Sequence, residues 1–340
     1  MNAARIEAQI EELLKEPIDS VIRRERSAFD ESTAPFGDSL VLFGAGGIGR
    51  KTLAGLRRIG IEPLAFADNN PALWGKEVSG LPVLTVPDAA RKYGNSAAFV
   101  ITIWTGEGKD TMAQRRRQLL DLHCARVVPF ALLYWKHPEI FLPHYAFDLA
   151  HHVYEQAEDV RQVFRLFSDD ASRREYLAQV RWRALLDFDA LPSPVSHRIY
   201  FPEDLASLSP YESFVDLGAF DGDTIKSFLD LRSASFREIR AFEPDPVNFL
   251  HLQRYVSSLP ESVRGKVRLH RLAVGASEGK VVFEATGTGS SAVGSGTTEV
   301  DCVILDRFFD GMKPTYIKMD IAGSEPGALL GARKLIEENT

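Results

Sequence analysis

Cysteine is scarce in this 340-residue chain: Cys124 and Cys302 are the only two, and they lie far apart. That scarcity argues against a disulfide framework and makes a reducing cytoplasm the expected location. No apolar run reaches the roughly 20 residues that a spanning helix needs, so no membrane segment is expected. Residues 1–8 likewise lack the apolar core of a secretory signal. Basic residues are not in excess: 40 Lys and Arg stand against 47 Asp and Glu, for a formal net charge of −7. A nucleic-acid partner, which calls for a basic footprint, is therefore not expected. Glycine is missing from 145–190, and no Tyr-x-x-x-Lys proton-relay pair occurs anywhere. What is present is an ordinary globular balance of apolar and charged residues, over a length that favours two domains.

From the N-terminus, Ile6, Ile10, Leu13 and Leu14 form one stripe of an amphipathic helix over 3–26, broken at Pro17. It reads as a cap on the next domain or as a helix for a partner, and homo-oligomer formation is compatible with it. A buried-strand run at 38–43 then enters Gly44-Ala-Gly46-Gly47-Ile-Gly49, and a helix follows. A second strand ends at Asp68, nineteen positions after Gly49. This is a G-x-G-x-x-G fingerprint between strand and helix, with an acid at the spacing of a ribose ligand. Arg50 and Lys51 follow the turn, so a phosphate is electrostatically welcome there. The ligand of Gly44, Gly46, Gly49 and Asp68 is left open among a nicotinamide dinucleotide, a nucleotide-sugar, or none.

Asp68-Asn-Asn-Pro71 and Trp74-Gly-Lys-Glu77 continue this block, with further strands at 97–103 and 126–129. Over 38–133 it resembles the small Rossmann-like domain attached to several sugar-modifying transferases. That resemblance implies a sugar-nucleotide or structural domain more than a dehydrogenase. The glycine-free stretch is helical, with Ser172 and Glu175 spaced as a capping box. His144, His151 and His152 show no acid or cysteine at ligand spacing, so no metal is expected. Leu191-Pro-Ser-Pro194 ends the helices.

A second glycine loop, Phe214-Val-Asp-Leu-Gly-Ala-Phe-Asp-Gly-Asp-Thr224, has the opposite charge. Asp216, Asp221 and Asp223 fall within eight residues, so a pyrophosphate is repelled and a cation is favoured. S-Adenosylmethionine, with a sulfonium and an α-ammonium, fits that sign. Glu243 ends the next strand, twenty-one residues beyond Gly222, where a carboxylate accepts hydrogen bonds from a ribose. Val267–Val274 reads as strand three, with an adenine against its carboxyl end. Thr286–Thr298 is rich in glycine and serine, and reads either as a linker or as a cover over the site. A strand at 316–320 and a helix to about 338 complete the chain.

Four ordered blocks, Val-Asp-Leu-Gly-Ala-Phe-Asp-Gly-Asp-Thr, Ala-Phe-Glu-Pro-Asp-Pro, Leu-Ala-Val-Gly-Ala and Tyr-Ile-Lys-Met-Asp-Ile-Ala-Gly-Ser-Glu, resemble the FkbM family of S-adenosylmethionine-dependent methyltransferases. The resemblance runs from about Ser213 to the end. It implies a class I methyltransferase fold and O-methylation of a hydroxyl on a sugar, glycan or polyketide-type small molecule. It assigns cofactor binding to Asp216, Gly218, Ala219, Gly222, Glu243, Asp245, Ala273 and Val274. Asp320 and Glu325 fall where methyl acceptor and cofactor meet, and are the candidates for a catalytic base, with His270 behind them. Phe220 stands where many members have Asn, and Ala322 where the family has the Glu of an Asp-x-Glu-Gly motif.

The fold class that follows is α/β: two Rossmann-like domains joined by a helical segment. The divisions expected are 1–36, 37–135, 136–197 and 198–340. A class I sheet has seven strands, and this stretch supplies strands one to four with an extension. The last domain thus reads as incomplete, with strand four at an apolar edge and weak cofactor binding expected of the chain as given. Two alternatives stand beside the methyltransferase. One is an NAD(P)-dependent oxidoreductase working through Gly44–Gly49; the other is a non-catalytic sugar-nucleotide-binding protein with a degenerate methyltransferase domain.

Overall fold

A computed structural model describes residues 3–104, 111–144, 146–192, 199–202, 207–287, 292–293, 296–309 and 313–338. The chain divides into two compact units, residues 1–196 and 197–340. The expected boundary after Pro194 lies outside the described residues, as do 288–291 and 294–295 of the glycine- and serine-rich stretch.

In the first unit the strands are β1 (Leu40–Phe43), β2 (Ala65–Asp68), β3 (Glu77–Val78), β4 (Leu81–Thr85), β5 (Ala98–Ile101) and β6 (Arg126–Pro129). They form one sheet in the order β3-β4-β2-β1-β5-β6, parallel except for the β3–β4 pair. All four residues of β1 and of β5 are buried, as parallel strands covered on both faces require. The strand order reverses between β2 and β5 on either side of β1. That switch point is where open α/β sheets bind ligands, and the Gly44 loop sits there.

Pro17 does divide the N-terminal helix, into Ala3–Leu13 and Ile18–Thr33. Val21 and Phe29 of the second piece join the sheet's own core, together with Tyr134, Trp135, Tyr154 and Trp182. Ile6, Ile10 and Leu14 close on Phe164 in a smaller cluster. Residues 1–36 and 136–192 therefore do not form bodies of their own. Their apolar stripes have nowhere else to be buried, and they complete the first unit.

The second unit holds β7 (Ser213–Leu217), β8 (Glu238–Phe242), β9 (Val267–His270), β10 (Ala273–Val274), β11 (Gly279–Glu284), β12 (Ala292–Val293), β13 (Thr298–Val303) and β14 (Tyr316–Met319). A parallel sheet runs β14-β7-β8-β9, and a second sheet runs β10-β13-β11-β12. The expected single strand over 267–274 is thus two. The chain leaves the first sheet after His270, and Ala273–Val274 pairs with β13 instead. Strand β14 stands at an edge of the described sheet, beside β7. Among the described residues no helix is long and apolar enough to cross a membrane.

Candidate functional site

At the carboxyl ends of β7, β8 and β14 lies a cleft of about 320 Å³. Gly218, Glu243, Ala273, Val274 and Asp320 of the sequence-predicted set line it. Its acids are Asp223, Glu243 and Asp320, with Lys318 the basic residue among its lining. Leu272, Ala273, Val274, Phe242 and Phe283 supply an apolar wall. The predicted negative balance is present, but the carboxylates that carry it are partly different ones. Of the acidic loop's three carboxylates, only Asp223 lines the cleft.

Asp216 is fully buried beneath the loop, and the reason is its register. Asp216 of β7 pairs with Lys318 of β14, which puts the two side chains together. The Lys318 ammonium lies 3.1 Å from Asp216 Oδ1, and the two residues are 5% and 0% exposed. No donor among the described residues is aligned on either Asp216 oxygen as a hydrogen bond, so the contact is an ion pair. Burial raises the Asp216 carboxyl to about 6, with Lys318 opposing the shift and Asp223 and Asp320 adding to it. Lys318 also donates to the Gly218 carbonyl at 2.6 Å. It thereby ties the loop's backbone to the neighbouring strand.

Glu243 is held in place by the backbone. Its Oε2 accepts the Phe220 N–H and its Oε1 the Asp245 N–H, both at 2.9 Å. Burial pushes its carboxyl up to about 7 in spite of those two donors. A carboxyl raised above its unfolded value contributes stability that is complete below that value and lost as pH rises through about 7. Wild type should therefore gain on Glu243→Gln by roughly 1 kcal/mol between pH 8 and pH 6. Urea unfolding of both proteins across that range measures the difference, and a pH-independent difference would contradict it.

The other predicted residues have structural positions outside the cleft lining. Asp245 caps the helix Pro246–Ser257, accepting the Val247 and Asn248 N–H groups. Gly222, at φ 95°, is the N-cap of Asp223–Arg232, and Ala219 is buried in the core. The Glu325 carboxylate accepts the Ile321 N–H at 2.9 Å, at the start of the helix Glu325–Gly331. His270 packs between Phe242 and Phe308, with ring centroids 4.8 and 4.9 Å away.

Tyr200, which no motif singled out, lines the cleft and donates its phenol to Asp320 Oδ2 at 2.5 Å. Burial, and then the hydrogen bond to Asp320, raise the phenol's pKa, so it stays a donor. The two departures from the family pattern share a conformation. Phe220 (φ 48°) and Ala322 (φ 52°) both line the cleft in the left-handed region. That region costs most non-glycine residues about 1 kcal/mol and is easiest for Asn and Gly. Such strain gathers at ligand sites.

The Gly44 loop of the first unit is close-packed at one glycine and open at another. A Cβ on Gly49 would lie 1.9 Å from the Gly44 carbonyl oxygen, so helix and strand pack as closely as that position allows. A Cβ on Gly46 would meet nothing within 4 Å, leaving the backbone open to a ligand. Asp68 accepts the Ala45 and Asn70 N–H groups, one on each oxygen, both at 2.7 Å.

No protein-family model matches the chain, and no curated protein matches it. Among solved structures, it is similar to the crystal structure of methyltransferase FkbM from Methylobacillus flagellatus KT, at 19% identity and a TM-score of 0.73. The similarity covers 98% of this chain and 85% of that one. Over nearly its whole length, then, this chain shares the fold of that protein.

Proposed function

We propose that the chain is an S-adenosylmethionine-dependent methyltransferase of the FkbM family, acting on a hydroxyl of a sugar, glycan or polyketide-type small molecule. The observation that carries this reading is the cleft itself. It brings Asp223, Glu243, Asp320 and the Gly218 loop to the switch point between β7 and β14, against an apolar wall. Those groups fit the cofactor: acids for its cationic end, Glu243 for the ribose, and Leu272, Ala273 and Val274 for the adenine. When bound, it supplies an electrophilic methyl group on a cationic sulfur.

In this reading the protein positions the acceptor and takes up one proton. Asp320 is the base that receives the hydroxyl proton. Tyr200 holds its Oδ2 and leaves Oδ1 to face the acceptor. Glu325, engaged with the Ile321 N–H, shapes the turn that follows Asp320. Ala322 leaves room where a family carboxylate would stand, so Asp320 works without that second acid.

The Gly44 loop supports a second, independent ligand. Its open Gly46 backbone and the following Arg50 and Lys51 suit a nucleotide or nucleotide-sugar. Calorimetric titration of the full chain with S-adenosylhomocysteine, NAD and a UDP-sugar separates these readings. S-Adenosylhomocysteine is expected to bind, and to bind at least about tenfold more weakly to a folded Glu243→Gln variant, by loss of a charged hydrogen-bond acceptor. Binding of NAD with no binding of S-adenosylhomocysteine would replace the methyltransferase by the oxidoreductase.

A further inference from the structure

The glycine-free helical stretch of the first unit brings together groups that the cleft chemistry does not use. His151, His152 and Glu155 each present a ligand atom within 4.8 Å of the other two. Glu155 thus corrects the expectation that no acid stands at ligand spacing from these histidines. On the helix His151–Glu155, Glu155 is four residues from His151 and three from His152, so it neighbours both.

The surroundings of the two rings are more specific than the cluster. His151 Nδ1 lies 2.9 Å from Glu25 Oε2, a carboxylate that is itself 3% exposed. His152 Nδ1 lies 2.8 Å from Asp148 Oδ2. A carboxylate on one ring nitrogen fixes the ring's orientation and makes the other nitrogen the better metal ligand, as in carboxylate–histidine–zinc arrangements. Here both rings are held in that way by acids from different places in the chain. Glu155 makes no hydrogen bond or ion pair among the described residues, so its carboxylate is not committed elsewhere.

We propose that His151, His152 and Glu155 bind a divalent transition-metal ion of the zinc class, through one nitrogen from each ring and a carboxylate oxygen, with water completing the coordination. Two imidazoles and a carboxylate are a recognised zinc donor set. Ligand atoms around tetrahedral zinc stand about 3.3 Å apart, and the three here lie within 4.8 Å of one another, with the Glu155 side chain exposed. Glu25 and Asp148 act on the metal through the rings they hold, and are positioning residues.

The test is a competition between the full-length, tag-free chain and a chromophoric chelator for Zn2+. Wild type is expected to withdraw about one equivalent, as a single site requires. His152→Ala and Glu155→Gln should each weaken binding by at least about tenfold, and Asp148→Asn by about 10- to 100-fold. Asp148→Asn leaves all three ligands in place, so its effect separates a metal site with oriented rings from loose histidine binding. Circular dichroism confirms that each variant is folded, and exposed Glu155→Gln is the variant least able to disturb the fold. Failure of wild type to compete would overturn the proposal, as would unchanged affinity in both His152→Ala and Glu155→Gln.

Discussion

Replacing Lys318 with methionine is expected to destabilise the 197–340 unit by about 3–5 kcal/mol at pH 8, because it strands a buried carboxylate. Among the described residues Lys318 is the one cation set against Asp216, and that carboxyl has no exposed surface to retreat to. The loss should depend on pH in a defined direction. In the folded chain the Asp216 carboxyl is raised to about 6, above its ordinary 3.8, so its protonated form is the one that folding favours. That contribution is complete below the unfolded value and is lost as pH rises through the folded one. Without Lys318 the folded value moves higher still. The variant's deficit should then be large at pH 8 and shrink towards pH 5. Adding Asp216→Leu should recover most of it at every pH, since an apolar pair replaces a buried ion pair at little cost. Urea unfolding, with hydrogen exchange read at residues 213–217, measures all of these. A deficit that stays constant from pH 8 to pH 5 would mean the ammonium acts by packing alone.

Gly218→Ala should be as damaging by a different route. Gly218 has φ 78°, and an added Cβ would stand 1.9 Å from the Asp320 carbonyl oxygen and 3.0 Å from its carbon. Those are backbone atoms just past the end of β14, and no rotamer change relieves them. Gly323 is the internal comparison: its φ is 94°, but its Cβ would enter open space. Gly323→Ala should cost about 1 kcal/mol from conformation alone. Gly218→Ala should cost about 4 kcal/mol or more, placing it among the exceptional single substitutions, and should abolish binding of S-adenosylhomocysteine. Equal losses at the two positions would refute the packing argument.

The elements that frame the cleft were legible because their signals are local. A run such as Phe214-Val-Asp-Leu followed by a glycine turn means strand and turn wherever it occurs. The cleft's sign was legible too, although of Asp216, Asp221 and Asp223 only Asp223 lines it. Asp216 looked like a ligand because only its neighbours in sequence were visible; its parallel partner is about a hundred residues away. One clue to that partner was present. Lys318 is a lone cation inside Tyr-Ile-Lys-Met, and a lysine in a buried strand is rarely without an acid. Asp216 is the matching acid within a strand. Tyr200 left no clue at all, since nothing in Ile-Tyr-Phe-Pro marks its side chain for Asp320. The strand expected over 267–274 failed for a related reason: alternation shows that a segment is extended but not which sheet receives it.

Glu243 and Asp68 do the same thing in the two units. Each stands at the end of its second strand. Each accepts one N–H from the glycine loop beside it (Phe220 or Ala45) and one from two residues further on (Asp245 or Asn70). An acid in that position is usually regarded as waiting for a ribose. Here it already fastens the loop, and it retains lone pairs because a carboxylate offers about four acceptor sites. The ordering of each loop is thus completed when the chain folds, so a ligand meets a rigid rim and loses less entropy on arrival. It also follows that changing either acid alters the shape of an empty loop as well as its affinity, and a spectrum of the ligand-free protein would register the change.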